Sequence, residues 1–131
     1  MPAQLNHLIV HSSDRFASAR FVTELLGAPE PTSFGPFAEV RLSNDVTVDY
    51  ADDHLPEGLK IVPQHLAFLV SEDEFDEVFA RIKDRELPYW GDPFHTEPQQ
   101  INHRNKGRGV YVDDPDGHAI EFLTHPYVKD E

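Results

Sequence analysis

Two histidine–carboxylate pairs stand at matched places in the two halves of this sequence. His7 and His65 each open a short apolar run, and Asp49 and Glu121 lie in the runs that close the two halves. Imidazole and carboxylate groups are the usual protein ligands of divalent metals where no thiolate takes part. A unit that occurs twice and carries two such ligands predicts one metal site built from as many as four side chains.

The first half has the pattern of a strand, a helix and further strands. Residues 4–11 form an apolar run typical of a strand. Ser12, Ser13 and Asp14 are each suited to cap a helix that ends at Gly27. Two more strands are predicted at 37–42 and 46–51, on either side of a short polar turn.

The second half repeats this order. After a strand at 65–70, the spacing of Ser71 and Glu74 predicts a capping box at the start of a helix. Residues 108–113 and 118–124 have the pattern of a closing hairpin. The sequence therefore predicts two copies of a βαβββ unit, with one strand of each copy weakly marked.

Alternation along the strands decides where the candidate ligands point. Because alternate side chains share a face, His7 and His65 lie opposite the apolar residues of their own strands. Asp49 and Glu121 also lie opposite apolar neighbours. Those apolar faces are suited to pack beneath the helices, so we expect all four candidate ligands on the other, concave face.

The composition limits the classes of function. The 131 residues, 39% of them hydrophobic, suit one folded domain. Acidic residues outnumber basic ones 24 to 11, and the net charge of −13 argues against nucleic acid or a membrane surface as a partner. The absence of cysteine excludes thiolate metal sites and disulfides. No secretory signal or membrane-spanning run is visible, so a cytoplasmic protein is expected.

A polar segment over 91–107 is long for a connection in so small a domain, which suggests a lid over a site or a mobile excursion. It contains His95, His103 and Arg104, and Arg108 follows it directly. These side chains are candidates for binding an anionic substrate, and a solvated loop is the alternative. Tyr111, in the next strand, either points its hydroxyl into the same cavity or serves only for packing.

Three stretches resemble the vicinal oxygen chelate superfamily, which includes glyoxalase I, fosfomycin-resistance transferases, extradiol dioxygenases and bleomycin-binding proteins. They are Leu5–Val10, His65–Phe68 and Val110–Glu121. The resemblance covers residues 1–131 as a single domain and implies an α+β fold of two βαβββ modules, about 1–53 and 62–126. These would form a curved, cup-like mixed sheet with helices on the convex side. A bound divalent metal, a small-molecule substrate and a homodimer are also implied.

Carried over by position, the resemblance makes His7, His65 and Glu121 the three metal ligands. Asp49 falls where members similar to glyoxalase I have a fourth ligand, a glutamate. Aspartate is one methylene shorter, and metal–oxygen distances tolerate changes of only about 0.2 Å. Asp49 is therefore expected to reach the metal through a water, to act as a base, or to take no part.

Three functions are compatible with this resemblance. The first is an isomerase, epimerase or lyase that chelates a small oxygenated substrate to Zn, Ni, Co, Mn or Fe, with Asp49 or Glu121 moving a proton to or from an enolate-like intermediate. The second is an extradiol ring-cleaving dioxygenase that uses the same ligands for iron. The third is a protein of the bleomycin-resistance type that sequesters a drug or metabolite without chemistry; the retained ligands argue against it.

Overall fold

The computed structural model describes residues 2–53 and 55–128, and the chain divides into two compact units between Val62 and Pro63. The elements of the first unit are β1 (His7–His11), α1 (Arg15–Leu26), β2 (Thr32–Phe34), β3 (Phe37–Arg41) and β4 (Thr47–Ala51). Those of the second unit are β5 (His65–Leu69), α2 (Glu72–Asp84), β6 (Gly109–Asp113) and β7 (Ala119–Leu123). The predicted α+β class, with one helix and one mixed sheet in each half, is confirmed.

Helix α1 begins and ends where the sequence predicts. The Asp14 carboxylate accepts a hydrogen bond from the Ala17 N–H at 3.1 Å, which satisfies a donor that the first turn leaves free. Gly27 ends the helix with a φ of 67°, a left-handed conformation that glycine adopts without the steric cost of a Cβ atom. Val22 and Leu25 are fully buried and fix the apolar side of α1 in the core.

Helix α2 begins with the predicted capping box. The Ser71 hydroxyl accepts from the Glu74 N–H at 3.1 Å, and the Glu74 carboxylate accepts from the Ser71 N–H at 2.8 Å. Phe75, Val78 and Ile82 recur at helical spacing and are fully buried. The apolar stripe of this helix therefore forms part of the core of the second unit.

The two sheets share a topology. The first has the order β1-β4-β3-β2, with β1 and β4 parallel and the other pairs antiparallel. The second has the order β5-β7-β6, with β5 and β7 parallel and β6 and β7 antiparallel. In each unit the first strand thus lies at an edge, beside the strand that comes last in the unit.

The second unit has one strand fewer than predicted within the residues that the structure describes. The expected strand between α2 and β6 is reduced to Trp90, which makes isolated bridges to Pro98 and to Tyr111. Pro88 and Pro93 flank Trp90 at close range. Because proline has no N–H to give to a strand ladder, regular pairing stops after a single residue.

The register shows how closely the two units correspond. Ile9 pairs with Asp49 in the first sheet, and Ala67 pairs with Glu121 in the second. Ile9 and Ala67 each lie two residues after the histidine of their strand. His65 and Glu121 therefore have the same positions in the strand pairing of the second unit as His7 and Asp49 have in the first. The duplication predicted from the sequence is therefore present in the strand pairing of the two units.

Neither α1 nor α2, the two helices in the described part of the chain, is long and apolar enough to cross a bilayer.

The turn between β6 and β7 is organised by the side chain of Asp114. One carboxylate oxygen accepts hydrogen bonds from the N–H groups of Asp116 and His118, both at 2.9 Å. His118 is fully buried, and its Nδ1 accepts from the Gln64 N–H at 2.8 Å. The turn thereby links the hairpin to the residue that precedes β5.

Replacing Asp114 with alanine is expected to lower the free energy of unfolding by about 1–3 kcal/mol, because two N–H groups of the turn lose their acceptor. Urea denaturation followed by circular dichroism would measure the change. Asp84→Ala is the matched control, since Asp84 is exposed at the end of α2. Equal stability of the two variants would show that the turn does not depend on the Asp114 carboxylate.

Candidate functional site

On one side of the second sheet the edge strand β5 is exposed, whereas Tyr111 and Glu121 on the strands beside it are buried. Along β5, Leu66 and Phe68 are buried, whereas His65, Ala67 and Leu69 are exposed. Side chains of β7 and β6 that pair in register with the exposed set share their face. We call this side of the β5-β7-β6 sheet the open face.

The central contact on the open face joins His65 and Glu121. The His65 Nε2–H donates to Glu121 Oε1 at 2.8 Å, and the Glu121 side chain is only 3% exposed whereas that of His65 is 41% exposed. A carboxylate buried this deeply needs partners to replace its lost hydration. The imidazole supplies one of them while keeping an accessible edge of its own.

Tyr127 supplies the other partners of the carboxylate. Its hydroxyl lies 2.7 Å from Oε1 and 3.0 Å from Oε2 of Glu121. The Val128 N–H donates to the Asn105 side chain at 2.9 Å and holds the segment after β7 in place. Sequence reasoning missed Tyr127, because this segment has neither strand nor helix periodicity to say where its side chains point.

Tyr111 completes the cluster and lies where its predicted strand face would put it. Its hydroxyl is 3.2 Å from that of Tyr127, and its ring meets the His65 ring edge to face at 5.4 Å between centroids. Burial, together with the hydrogen bond between the two phenols and the charge of Glu121, raises the pKa of Tyr111. Burial also raises the pKa of Tyr127. Both phenols therefore stay protonated as donors at neutral pH.

The His65–Glu121 pair is compatible with a metal as well as with the hydrogen bond. Two ligands about 2.1 Å from one ion and at right angles to each other lie about 3.0 Å apart, close to the separation seen here. Across residues 2–53 and 55–128, however, no three histidine, aspartate or glutamate side chains come together in a group able to hold an ion. Imidazole nitrogen and carboxylate oxygen are suitable metal ligands, and the second unit brings together two of the three implied ligands, His65 and Glu121.

The third implied ligand, His7, belongs to the first unit. It is exposed on β1, and its Nδ1 lies 2.7 Å from the side-chain oxygen of Asn6. Its role as a metal ligand stays a prediction.

Asp49 occupies the place in the first sheet that Glu121 occupies in the second, but its surroundings differ. It is only 4% exposed, and its Oδ1 has no hydrogen-bond partner among the residues described. Its neighbours across the sheet are Ile9, which has no polar group to offer, and Glu39, a second carboxylate. A buried carboxylate oxygen in this state requires a donor or a cation from elsewhere, which supports a functional role.

The arginines near the long loop have structural partners. Arg104 donates to the carbonyl of Gly91 at 2.7 Å and forms an ion pair with Glu97, within the loop itself. The loop is therefore built from defined contacts rather than being a free excursion. His103 is exposed.

Arg108 is bound to α2 rather than to the cluster around Glu121. Its guanidinium donates to Glu72 at 2.8 Å and to Asp76 at 2.9 Å, and it lies 4.4 Å from the centre of the Phe75 ring. It also has the parity of Val110 and Val112 on β6, which face away from Tyr111. Substrate binding by His103, Arg104 and Arg108 accordingly stays a prediction without a contact that supports it.

Comparison with known families agrees with the fold. Residues 4–122 match the Glyoxalase/Bleomycin resistance protein/Dioxygenase superfamily, and the chain belongs to this family, as its resemblance to vicinal oxygen chelate proteins predicts. The solved structure of oxidase ChaP-H1 is 50% identical, with a TM-score of 0.89 over 97% of this chain and 99% of the oxidase. Oxidase ChaP-H2 is also 50% identical, with a TM-score of 0.89 and 97% of each chain covered. Metallothiol transferase FosB of Lysinibacillus sphaericus (strain C3-41) is 27% identical over 92% of this chain and 81% of the transferase.

The Glu121→Gln variant is expected to let Tyr111 and Tyr127 ionise at lower pH than in the wild type. Part of the rise in both pKa values comes from the negative charge of Glu121, and glutamine removes that charge. Absorbance of tyrosinate during an alkaline titration would measure the shift. Glu57→Gln, at an exposed site, is the control; identical titration curves for all three proteins would contradict the role of the carboxylate.

Proposed function

We propose that this chain is a metal-dependent oxidase that acts on a small oxygenated substrate at the open face of the second unit. The observation that carries the proposal is the buried Glu121 carboxylate, held between the half-exposed His65 imidazole and the Tyr127 phenol. Two oxidases that match nearly the whole chain at 50% identity support oxidation over other chemistries of the superfamily.

His65 and Glu121 are the residues of this unit that would hold the metal, with His7 as the third ligand implied by the resemblance. A divalent ion there would polarise oxygens of a bound substrate as a Lewis acid, and iron would in addition permit reaction with dioxygen.

The side chains of the open face supply the proton chemistry. Glu121 accepts a proton from an O–H group of the substrate, or from a C–H group next to a carbonyl, and Tyr127 connects the carboxylate to solvent because it is 46% exposed. Tyr111 stays neutral, and because the Tyr127 O–H donates to Glu121, the Tyr111 O–H donates to the Tyr127 oxygen and orients that phenol towards the carboxylate. The substrate anion then gives two electrons and its second hydrogen to dioxygen, which also takes the proton from Glu121 and leaves as hydrogen peroxide. Asp49 remains a candidate base on the first unit.

Oxygen uptake tests this function directly. Wild-type protein is expected to consume dioxygen with one or more members of a panel of catechols, hydroquinones and hydroxyketones, measured with an oxygen electrode and by chromatography of the products. In Glu121→Gln the rate should fall by about 100-fold or more, the usual effect of losing a general base. Glu57→Gln, an exposed glutamate, should retain the wild-type rate.

A second candidate is an isomerase, epimerase or lyase that only moves a proton. The pairing of Glu121 with His65 and a solvent-connected phenol favours it, because this cluster needs no oxidant to transfer a proton. Conversion of a panel substrate under argon, at the rate seen in air, would establish this candidate and exclude the oxidase.

Metal content provides a test that does not need a substrate. Protein purified without chelator is expected to contain close to one divalent ion per chain by plasma mass spectrometry, and His65→Ala to lose most of it because one ligand is removed. His125→Ala is a control at an exposed histidine. A wild type that is free of metal and does not take it up on reconstitution would exclude the metal-dependent form of the proposal and favour a binding protein.

A further inference from the structure

We infer that His95 and Asp113 form a second histidine–carboxylate pair that binds a second oxygen of the substrate, across the open face from His65 and Glu121. The inference rests on the proposed function and narrows its substrate to flat molecules that carry a hydroxyl group at each end.

The second pair has its own defined geometry. His95 Nε2 lies 3.2 Å from each carboxylate oxygen of Asp113. The imidazole stacks on the Trp90 ring with 3.7 Å between centroids and 16° between planes. The side chains of His95 and Asp113 are 43% and 37% exposed, so both groups remain accessible to a ligand.

Strand pairing puts this pair on the open face. Trp90 bridges to Tyr111, and Tyr111 pairs with Glu121 in the register of β6 and β7. Side chains paired across strands share a face, so these three form a row. Asp113, two residues after Tyr111, points to the same side.

His65 and Asp113, one member of each pair, lie on the two outer strands of the β5-β7-β6 sheet. Asp113 pairs with Ala119, and Ala119 pairs with His65, so the three residues form a second row across the sheet. Neighbouring strands are about 4.8 Å apart, which puts the backbones of Asp113 and His65 about 10 Å apart. In this row the residue between them is Ala119, whose side chain is a single methyl group.

The loop that carries His95 is closed by other groups. Asp92, only 6% exposed, accepts from the N–H of Thr96 at 2.9 Å and from that of Glu97 at 2.8 Å, and the Thr96 hydroxyl donates to it at 2.6 Å. The Gly91 N–H also bonds to the carbonyl of Glu97 at 2.9 Å. The loop therefore does not need the His95–Asp113 contact to close.

His95 itself has a costly backbone conformation. Its φ is 62°, in the left-handed region that residues other than glycine adopt rarely and with strain. An exposed pair of this kind adds little to stability. A strained residue whose side chain is accessible, stacked and paired is more consistent with ligand binding than with holding the fold.

The chemistry of the two pairs sets the ligand class. A hydroxyl group that replaces the 3.2 Å contact between His95 and Asp113 can accept from the imidazole N–H and donate to the carboxylate, while the oxygen at the other end of the ligand is bound at His65 and Glu121. The stacked rings of Trp90 and His95 at one side suit a planar aromatic body. A ligand with a hydroxyl at each end therefore matches this face better than one with a single hydroxyl.

Calorimetric titration of the purified protein with naphthalene-2,6-diol and with 2-naphthol tests the inference. Wild type is expected to bind the diol about tenfold more tightly, the usual effect of one added hydrogen bond. His95→Phe keeps a ring to stack on Trp90 but has no N–H, so it should bind the two compounds equally. His95→Gln restores a donor and should recover part of the preference for the diol.

A role limited to holding the loop predicts a different result. His95→Phe would then weaken the binding of both compounds alike and leave the ratio of their affinities unchanged, which would overturn the inference. Equal affinity of the wild type for the two compounds, or no binding of the diol, would also overturn it. His125→Phe, at an exposed histidine elsewhere in the unit, should keep the wild-type ratio.

The same titrations distinguish this inference from the proposed function. A preference for the diol without turnover of any panel compound would support the second pair as a binding site while the oxidase proposal fails. Oxygen uptake by a protein with no preference for the diol would support the oxidase and overturn the inference.

Discussion

The burial of the Glu121 carboxylate is the constraint on which the second unit depends. A charged group that is only 3% exposed has to be hydrogen-bonded on both oxygens, and the chain meets this need from two directions. The parallel pairing of β5 with β7 brings His65 to one side, and the segment after β7 returns Tyr127 to the other. The Glu121 carboxylate therefore receives its hydrogen-bond partners from the order and register of the strands and from the path of the chain after β7.

The two units differ at one matching position of the duplicated fold: the carboxylate has hydrogen-bond partners in the second unit, and a carboxylate oxygen lacks them in the first. Glu121 has three hydrogen bonds, whereas Asp49, at the matching place in the register, keeps a buried oxygen without a partner in the described part of the chain. The shorter aspartate side chain and the neighbouring Glu39 account for the difference, since neither Ile9 nor a second carboxylate can donate. The duplication thus preserved the backbone pattern, and the side chains around it diverged.

Features governed by local chemistry could be read from the sequence. Residue spacing predicts the caps of both helices, the paired strands and the shared face of His65, Glu121 and Tyr111. The motifs indicate the superfamily. Contacts made by irregular segments could not be read in this way. Tyr127 and His95 lie where no periodicity fixes the direction of a side chain, and the partners of Arg108 on α2 are more than 30 residues away in the chain.

The stack between Trp90 and His95 also gives the molecule an optical property. Trp90 is the only tryptophan in the sequence, so the indole fluorescence of the whole chain originates from one ring at the edge of the open face. Its emission carries no contribution from a second indole elsewhere in the fold. The protein therefore contains an intrinsic reporter at the contact between the long loop and its sheet, and movement there can be followed in solution without attaching a dye.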